Sequence, residues 1–177
     1  MRARSLHLLS STILLALYLG ACQPVREFIA GEAGNVELVG SEDAQMNEAI
    51  RQAQESLDVF IRSFQSPAPT QTHFSIKVRF PYGAGSDYEH MWLDDISFDG
   101  EHFGGTLANE PVYVSGLHLG DQVTARIADI SDWEIVDDGR LLGGFTIHVL
   151  RNRMTAEERR QFDEQTGLVI GDRPELP

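Results

Sequence analysis

Between His73 and Phe80 polar and apolar residues alternate without a break. Phe74, Ile76, Val78 and Phe80 share one side, and His73, Ser75, Lys77 and Arg79 share the other. Successive side chains of an extended chain point to opposite faces, so this stretch predicts a half-buried strand. Pro81 and the Gly83-Ala84-Gly85 run end it in a loop. Upstream the period changes. Met46, Ala49, Ile50, Ala53, Leu57, Phe60, Ile61 and Phe64 recur at spacings of three and four, which predicts one amphipathic helix opened by Ser41 as its N-cap. Glu42 and Asp43 suit its first turn, Arg62 suits its last, and Pro67 and Pro69 forbid its continuation.

Downstream the chain reads as further short strands. Tyr88 to Phe98 is strand-like, but its phase slips: Met91 and Leu93 share a face with Ile96 and Phe98 only if one residue is extra. A bulge at Asp94-Asp95 reconciles the two halves. Asp99-Gly100 predicts a tight turn into a return strand from Phe103 to Leu107. Val112 to Val114 reads as a short extended piece, and Gln122 to Ile127 as another strand after a turn at Gly120-Asp121. Trp133 to Val136 and Arg140 to Leu142 flank Asp137-Asp138-Gly139, a second hairpin signal. Phe145 to Leu150 fits either period. Helix is preferred, with Thr146 as its cap after two glycines better suited to close packing or a helix start than to a phosphate loop. Thr155-Ala-Glu-Glu158 is a capping box that predicts a helix to Gln165, with Gly167 just past its end. A helix, about five to six antiparallel strands and C-terminal helices make an α+β domain over residues 41–166, followed by a flexible tail over 167–177.

The first 40 residues follow none of these patterns. Arg2 and Arg4 precede an apolar run from Leu6 to Leu19, and Leu19-Gly20-Ala21-Cys22 closes it. A positive start, a short apolar stretch and small residues before a cut fit a secretory signal peptide over residues 1–21, too short for a comfortable membrane-spanning helix. The tetrapeptide resembles the bacterial lipobox. That resemblance implies cleavage after Ala21 and acylation of Cys22, the one cysteine of the chain. Several acyl chains hold a protein on a bilayer where one is marginal. Gln23 rather than Asp after the cysteine implies, by the same resemblance, the outer membrane. The expected address is the cell envelope, on the periplasmic face. Residues 22–40, with Pro24 and three glycines, read as a tether.

Charge narrows the partners. The formal net charge is −13, which becomes −15 once Arg2 and Arg4 are removed, and Lys77 is the single lysine. Such a surface repels nucleic acid and gives no electrostatic grip on an anionic bilayer, so attachment rests on lipid.

Several segments, in order, resemble one family. They are Phe74-Ser-Ile-Lys-Val78, Glu89-His-Met-Trp-Leu93, Phe103-Gly-Gly-Thr-Leu107, Asn109-Glu-Pro111, Gly120-Asp-Gln-Val123, Ile130-Ser-Asp-Trp133 and Gly143-Gly-Phe-Thr146. Over residues 44–160 they are similar to the DUF2314, or YegJ-like, family. The resemblance implies a domain and carries no catalytic residue over.

Six polar or aromatic residues are candidates for a binding surface: Glu89, His90, Trp92, Asp94, Asp132 and Trp133. Alternation puts His90, Trp92 and Asp94 on one face of their strand, opposite Met91 and Leu93. In a small groove the two tryptophans stack on a ligand while His90 and the carboxylates hydrogen-bond it. The same residues also read structurally, with Asp132 capping a turn, His90 satisfying backbone groups and both tryptophans in the core. Glu89, His90, Asp94 and His102 lie on one expected hairpin and could converge on a metal. No HExxH or close His pair supports that, and neither a metal nor a cofactor is expected. There is no GxSxG elbow, and acylation consumes the only thiol. Three functions remain in order: a non-enzymatic binding or interaction module for an envelope protein or small ligand, a small hydrolase or metal-dependent enzyme built on His90, and an inhibitor or immunity-type protein with an acidic face.

Overall fold

A computed structural model describes residues 43–84 and 87–177. The expected signal peptide and tether, with Cys22, lie outside the described residues, as does Ser41. The first helix is capped by Asp43, whose carboxylate accepts the Met46 N–H at 3.0 Å. The single expected helix is two: α1 (Ala44–Glu55) and α2 (Leu57–Gln65). The break is at Ser56, whose hydroxyl donates back to the carbonyls of Gln52 and Ala53. Such back-bonding by serine weakens and bends a helix. The apolar stripe runs on across the break, so both helices bury the same side.

Six strands follow in an antiparallel sheet of order β4-β3-β2-β1-β5-β6. They are β1 (Gln71–Tyr82), β2 (Asp87–Phe98), β3 (His102–Leu107), β4 (Gln122–Arg126), β5 (Ile130–Asp137) and β6 (Arg140–Gly143). The expected bulge is present. The β2–β3 register shifts between Asp94 and Ser97, and Asp95 takes a left-handed φ of 48°. Two strand expectations are corrected. Ile127 leaves β4 for a one-turn 3-10 helix over Ile127–Asp129. Residues Val112 to Val114 form no strand, because a carboxylate rather than a neighbouring strand takes their N–H groups (below).

One face of the sheet packs on α1 and α2. Ile76, Val78, Met91, Leu93, Phe103, Leu107, Trp133 and Ile135 meet Ala49, Ala53, Leu57 and Phe60 in one core. The indole of Trp133 donates to the Ala53 carbonyl at 3.1 Å, and the Phe60 ring lies 5.4 Å from it.

The ambiguous segment is a helix, α3 (Phe145–Arg153), and the capping box opens α4 (Ala156–Thr166) with both of its reciprocal hydrogen bonds. Thr146 does not cap α3. Gly144 holds the N-cap position at φ 60°, and the capping carboxylate comes from β5. Gly143 before it has φ +72°, and a Cβ there would stand 2.4 Å from the Trp133 carbonyl oxygen. Only glycine lets the chain turn this close to β5.

The C-terminal residues do not hang loose. Val169 bridges to Arg140, its N–H donates to Gly139, and its carbonyl accepts from Leu141. The Glu175 carbonyl accepts from Gly143, and its carboxylate pairs with Arg140 at 3.0 Å. The tail thereby closes the open edge of β6, a row of unpaired backbone groups in any edge strand. Leu168 and Ile170 join Trp92, Leu141, Ile147 and Phe162 in a second, smaller core on the other sheet face.

Candidate functional site

On the polar side of β1 Ser75 is buried and His73, Lys77 and Arg79 are half-buried. Around it Trp92, Asp94, Asp132, Glu134 and Thr146 are buried as well. Lys77 stands at the middle of this row, opposite Trp92 on β2 and Asp132 on β5. Its ammonium donates to the Thr146 hydroxyl at 3.2 Å and lies 5.3 Å from the Trp92 ring centroid, within cation–π range. Burial lowers the Lys77 pKa, and the charges of Asp132 and Glu134 oppose the shift.

Asp132 is fully occupied. Its carboxylate accepts from the N–H groups of Phe145 (3.1 Å), Thr146 (2.7 Å) and Trp133 (2.8 Å), and from the Thr146 hydroxyl (2.6 Å). It therefore caps α3 from a strand, matching negative charge to the positive end of a helix. Burial raises its pKa to about 6, against the pull of Thr146 and Lys77, so it is ionised at neutral pH.

Beside Lys77, Ser75 joins His73 and Asp94. The Ser75 hydroxyl donates to Asp94 and lies 2.8 Å from Nε2 of His73. A hydroxyl has one proton, so Nε2 must be the donor to Ser75. A nucleophilic serine needs the reverse, a histidine nitrogen that takes its proton. The composition matches a catalytic triad, but the direction of its hydrogen bonds does not.

The six candidate residues do not form one surface. Trp133 lies in the helix-side core at 0% exposure, whereas Trp92, at 7%, lies in the second core on the opposite face. They cannot stack on one ligand. Glu89 faces away from His90 and accepts the N–H groups of Val112 (2.6 Å), Tyr113 and Val114 (2.9 Å each). It thereby anchors the long β3–β4 loop. Half-buried His90 bonds through Nδ1 to Ser131 at 2.8 Å. Burial, then the charges of Lys77 and Arg79, lower its pKa to about 4, so it is neutral in most conditions. Asp94 bonds to Ser75, as above. Among the described residues no group of three or more His, Cys, Asp or Glu side chains could hold a metal ion.

A concave feature lies elsewhere among the described residues. A groove of about 520 Å³ runs between α1, α3 and the tail. Ala49, Phe145 and Val149 line it with apolar surface. Gln45, Glu48 and Gln52 come from one flank of α1, His148, Asn152 and Arg153 from α3, and Asp172 and Arg173 from the tail. Several of these are already engaged. Arg153 pairs with Asp43 at 2.6 Å, and Glu48 binds Arg51 and Gln52. His148 is only 3% exposed, yet neither ring nitrogen has a hydrogen-bond partner among the described residues. Burial, then the charge of nearby Arg151, lower its pKa, and Glu175 opposes the shift.

None of the groove residues was among the sequence candidates. The signal available was weak: a polar i, i+3, i+7 set at Gln45, Glu48 and Gln52 borders the apolar stripe of α1, as on any surface helix. The tail wall could not be read from a segment without periodicity.

Comparison with known proteins gives a family and no activity. The family described as "Uncharacterized protein conserved in bacteria (DUF2314)" matches residues 43–170. A "Putative ankyrin repeat protein" of Neisseria meningitidis is 46% identical over 88 residues, half of this chain and 35% of its own length. The chain therefore spans about a third of that relative. The "Uncharacterized protein YegJ" of Escherichia coli is 30% identical over 129 residues, 72% of this chain and 81% of its own. No solved structure matches.

Proposed function

The chain belongs to the DUF2314 family, and from that premise we propose that it is a non-enzymatic binding module of the cell envelope, anchored by lipid on Cys22, whose ligand sits in the groove between α1, α3 and the tail. The groove is the observation that carries this reading. Its volume falls within the usual range of small-ligand sites, and apolar residues and a few polar groups line it together. A binding role also agrees with the fate of the reactive residues, which are committed to caps, loops and cores. The relative from Neisseria, whose name includes ankyrin repeats, is consistent with a domain that works beside recognition modules. The enzyme reading asks His90 to meet a carboxylate in a concave pocket, whereas its hydrogen bond goes to Ser131.

Location and binding are tested separately. Replacing Cys22 by Ser should move the protein from the detergent phase to the aqueous phase; unchanged partition would remove the anchor from this reading. For binding, a low-molecular-weight extract of the envelope should raise the Tm of the full chain by a few degrees, as any ligand of the native state does. Asn152→Trp, on the groove wall, should abolish that rise while leaving the Tm without extract close to wild type. An equal rise in both proteins would sink the groove as the site.

A further inference from the structure

His148 sits where α3 meets the tail. Its backbone belongs to the first turn of α3, and its N–H donates to the Gly144 carbonyl at 2.9 Å. Asp172, Arg173 and Pro174 of the tail line the same groove, and the charge of Glu175 acts on the ring. Neither ring nitrogen reaches solvent, and neither has a hydrogen-bond partner among the described residues. A neutral imidazole has one nitrogen that donates and one that accepts. Here the accepting nitrogen is sealed in with its lone pair unused.

Such a ring cannot take a second proton and stay where it is. An imidazolium in a dry site needs a counter-charge or water, and burying it without either is costly. The charged neighbours do not supply one. On α3, Arg151 disfavours the cation and is itself tied to Asp163 of α4 at 2.7 Å. On the tail, Glu175 favours it, but that carboxylate is paired with Arg140 of β6 at 3.0 Å. Asp172 and Arg173 stand beside each other with opposite signs. On α1, Glu48 is bound to Arg51 and Gln52.

Of the segments around the ring, the tail is the one that can leave. α3 is fixed by Phe145 in the main core and by Asp132 at its start. The tail is held to β6 through Val169 on Gly139, Leu141 on Val169 and Gly143 on Glu175, with the half-exposed Arg140–Glu175 pair beside them. Chain ends held by so little open locally before the rest of a domain unfolds.

We propose that His148 is a proton-operated latch: the tail stays closed over α3 and β6 while the imidazole is neutral, and protonation of the ring in mild acid releases it. The direction follows from linkage. Closed, the ring has a pKa held below 6.5 by burial. Released into water, it returns to an ordinary value of about 6.5. The released form therefore binds the proton more tightly, and closure is favoured above pH 6.5 and lost as pH falls. Release takes Asp172, Arg173 and Pro174 off the groove wall and uncovers the edge of β6. An effect on a ligand would rest on the groove reading above; the latch itself does not.

The test is amide hydrogen exchange on the full chain in detergent micelles, read as protection factors between pH 7.5 and pH 5. At pH 5 a released imidazole is protonated over neutral by about thirtyfold. Protection at Leu141, Gly143 and Val169 should therefore fall by roughly tenfold across this window, while amides at the centre of β1 and β2 keep theirs. His90, also held neutral, lies on β2, so its titration would register in those reference amides instead. His148→Leu and His148→Gln should each make tail protection independent of pH. Asp132, which titrates within the window, is the same in both variants and cancels from the comparison. The ring Cε1–H resonance of His148 in the unmutated chain gives a readout that needs no variant: it should begin to titrate only as tail protection falls. A tail that loses protection equally in wild type and both variants overturns the proposal. So does a loss shared equally by β1 and β2, or a His148 resonance that titrates near 6.5 while the tail amides stay protected.

Discussion

His90 and Asp132 lie on neighbouring strands of one sheet and respond to acid in opposite ways. The folded-state pKa of His90 is lowered from 6.5 to about 4. The unfolded chain therefore takes up this proton first, and the stability His90 contributes is present above pH 6.5 and lost as pH falls toward 4. Asp132 has its pKa raised from 3.8 to about 6, so its contribution is present below 3.8 and lost as pH rises through 6. Over the shared window the two largely offset each other, and His148 adds to the His90 side because its pKa is also lowered. His90→Gln should therefore reduce the loss of stability between pH 6.5 and pH 4 by roughly 2–3 kcal/mol, seen as a flatter or reversed slope in urea unfolding across that range. A slope identical to wild type would mean His90 is not held neutral. At this scale the sequence was informative about residue type and uninformative about partner. Asp132 was legible as a cap, but its target, thirteen residues on, depended on Gly143 and Gly144 turning the chain back onto β5. Lys77 was legible only as a lone lysine on the polar side of a strand. That Thr146 of α3 and the ring of Trp92 would meet its ammonium was not written in β1.

At the scale of elements, local patterns located the strands well because alternation is a property of the segment itself. The capping box of α4 and the bulge of β2 are likewise local and were read from adjacent residues. Two features escaped, one because a distant group decides it and one because its local cause leaves the apolar period unchanged. Val112 to Val114 has the composition of a strand, but three of its N–H groups converge on the Glu89 carboxylate, 23 to 25 residues away. Glu89→Gln should cost about 2–3 kcal/mol, because a buried acceptor of three backbone donors loses its charge and presents a donor in part. Hydrogen exchange should localise the effect: the amides of Val112, Tyr113 and Val114 should lose protection ahead of β1 and β5. Uniform loss across the domain would show that Glu89 is not a local anchor. The second feature is the break at Ser56, where the apolar stripe continues, so periodicity alone cannot report it.

For the whole molecule, the tail is the element whose role changes most. It closes the β6 edge, supplies Leu168 and Ile170 to the second core, and forms one wall of the groove. A chain ending at Gly167 should unfold at a Tm lower by about 5–15 °C, as expected for losing roughly 2–4 kcal/mol of backbone pairing and apolar burial. It should also self-associate with rising concentration in sedimentation, because an open sheet edge recruits another strand. A Tm within a degree of wild type would show the tail to be an ornament. The sequence by itself determined the fold class, most strand and helix positions, the acidic character of the chain and its family, since each follows from order along the chain. The tertiary structure alone decided which polar groups became caps, which tryptophan faces which core, and where a concave surface remains. Those depend on which distant segments meet, and a carboxylate carries no mark in the sequence of the backbone N–H it will accept from.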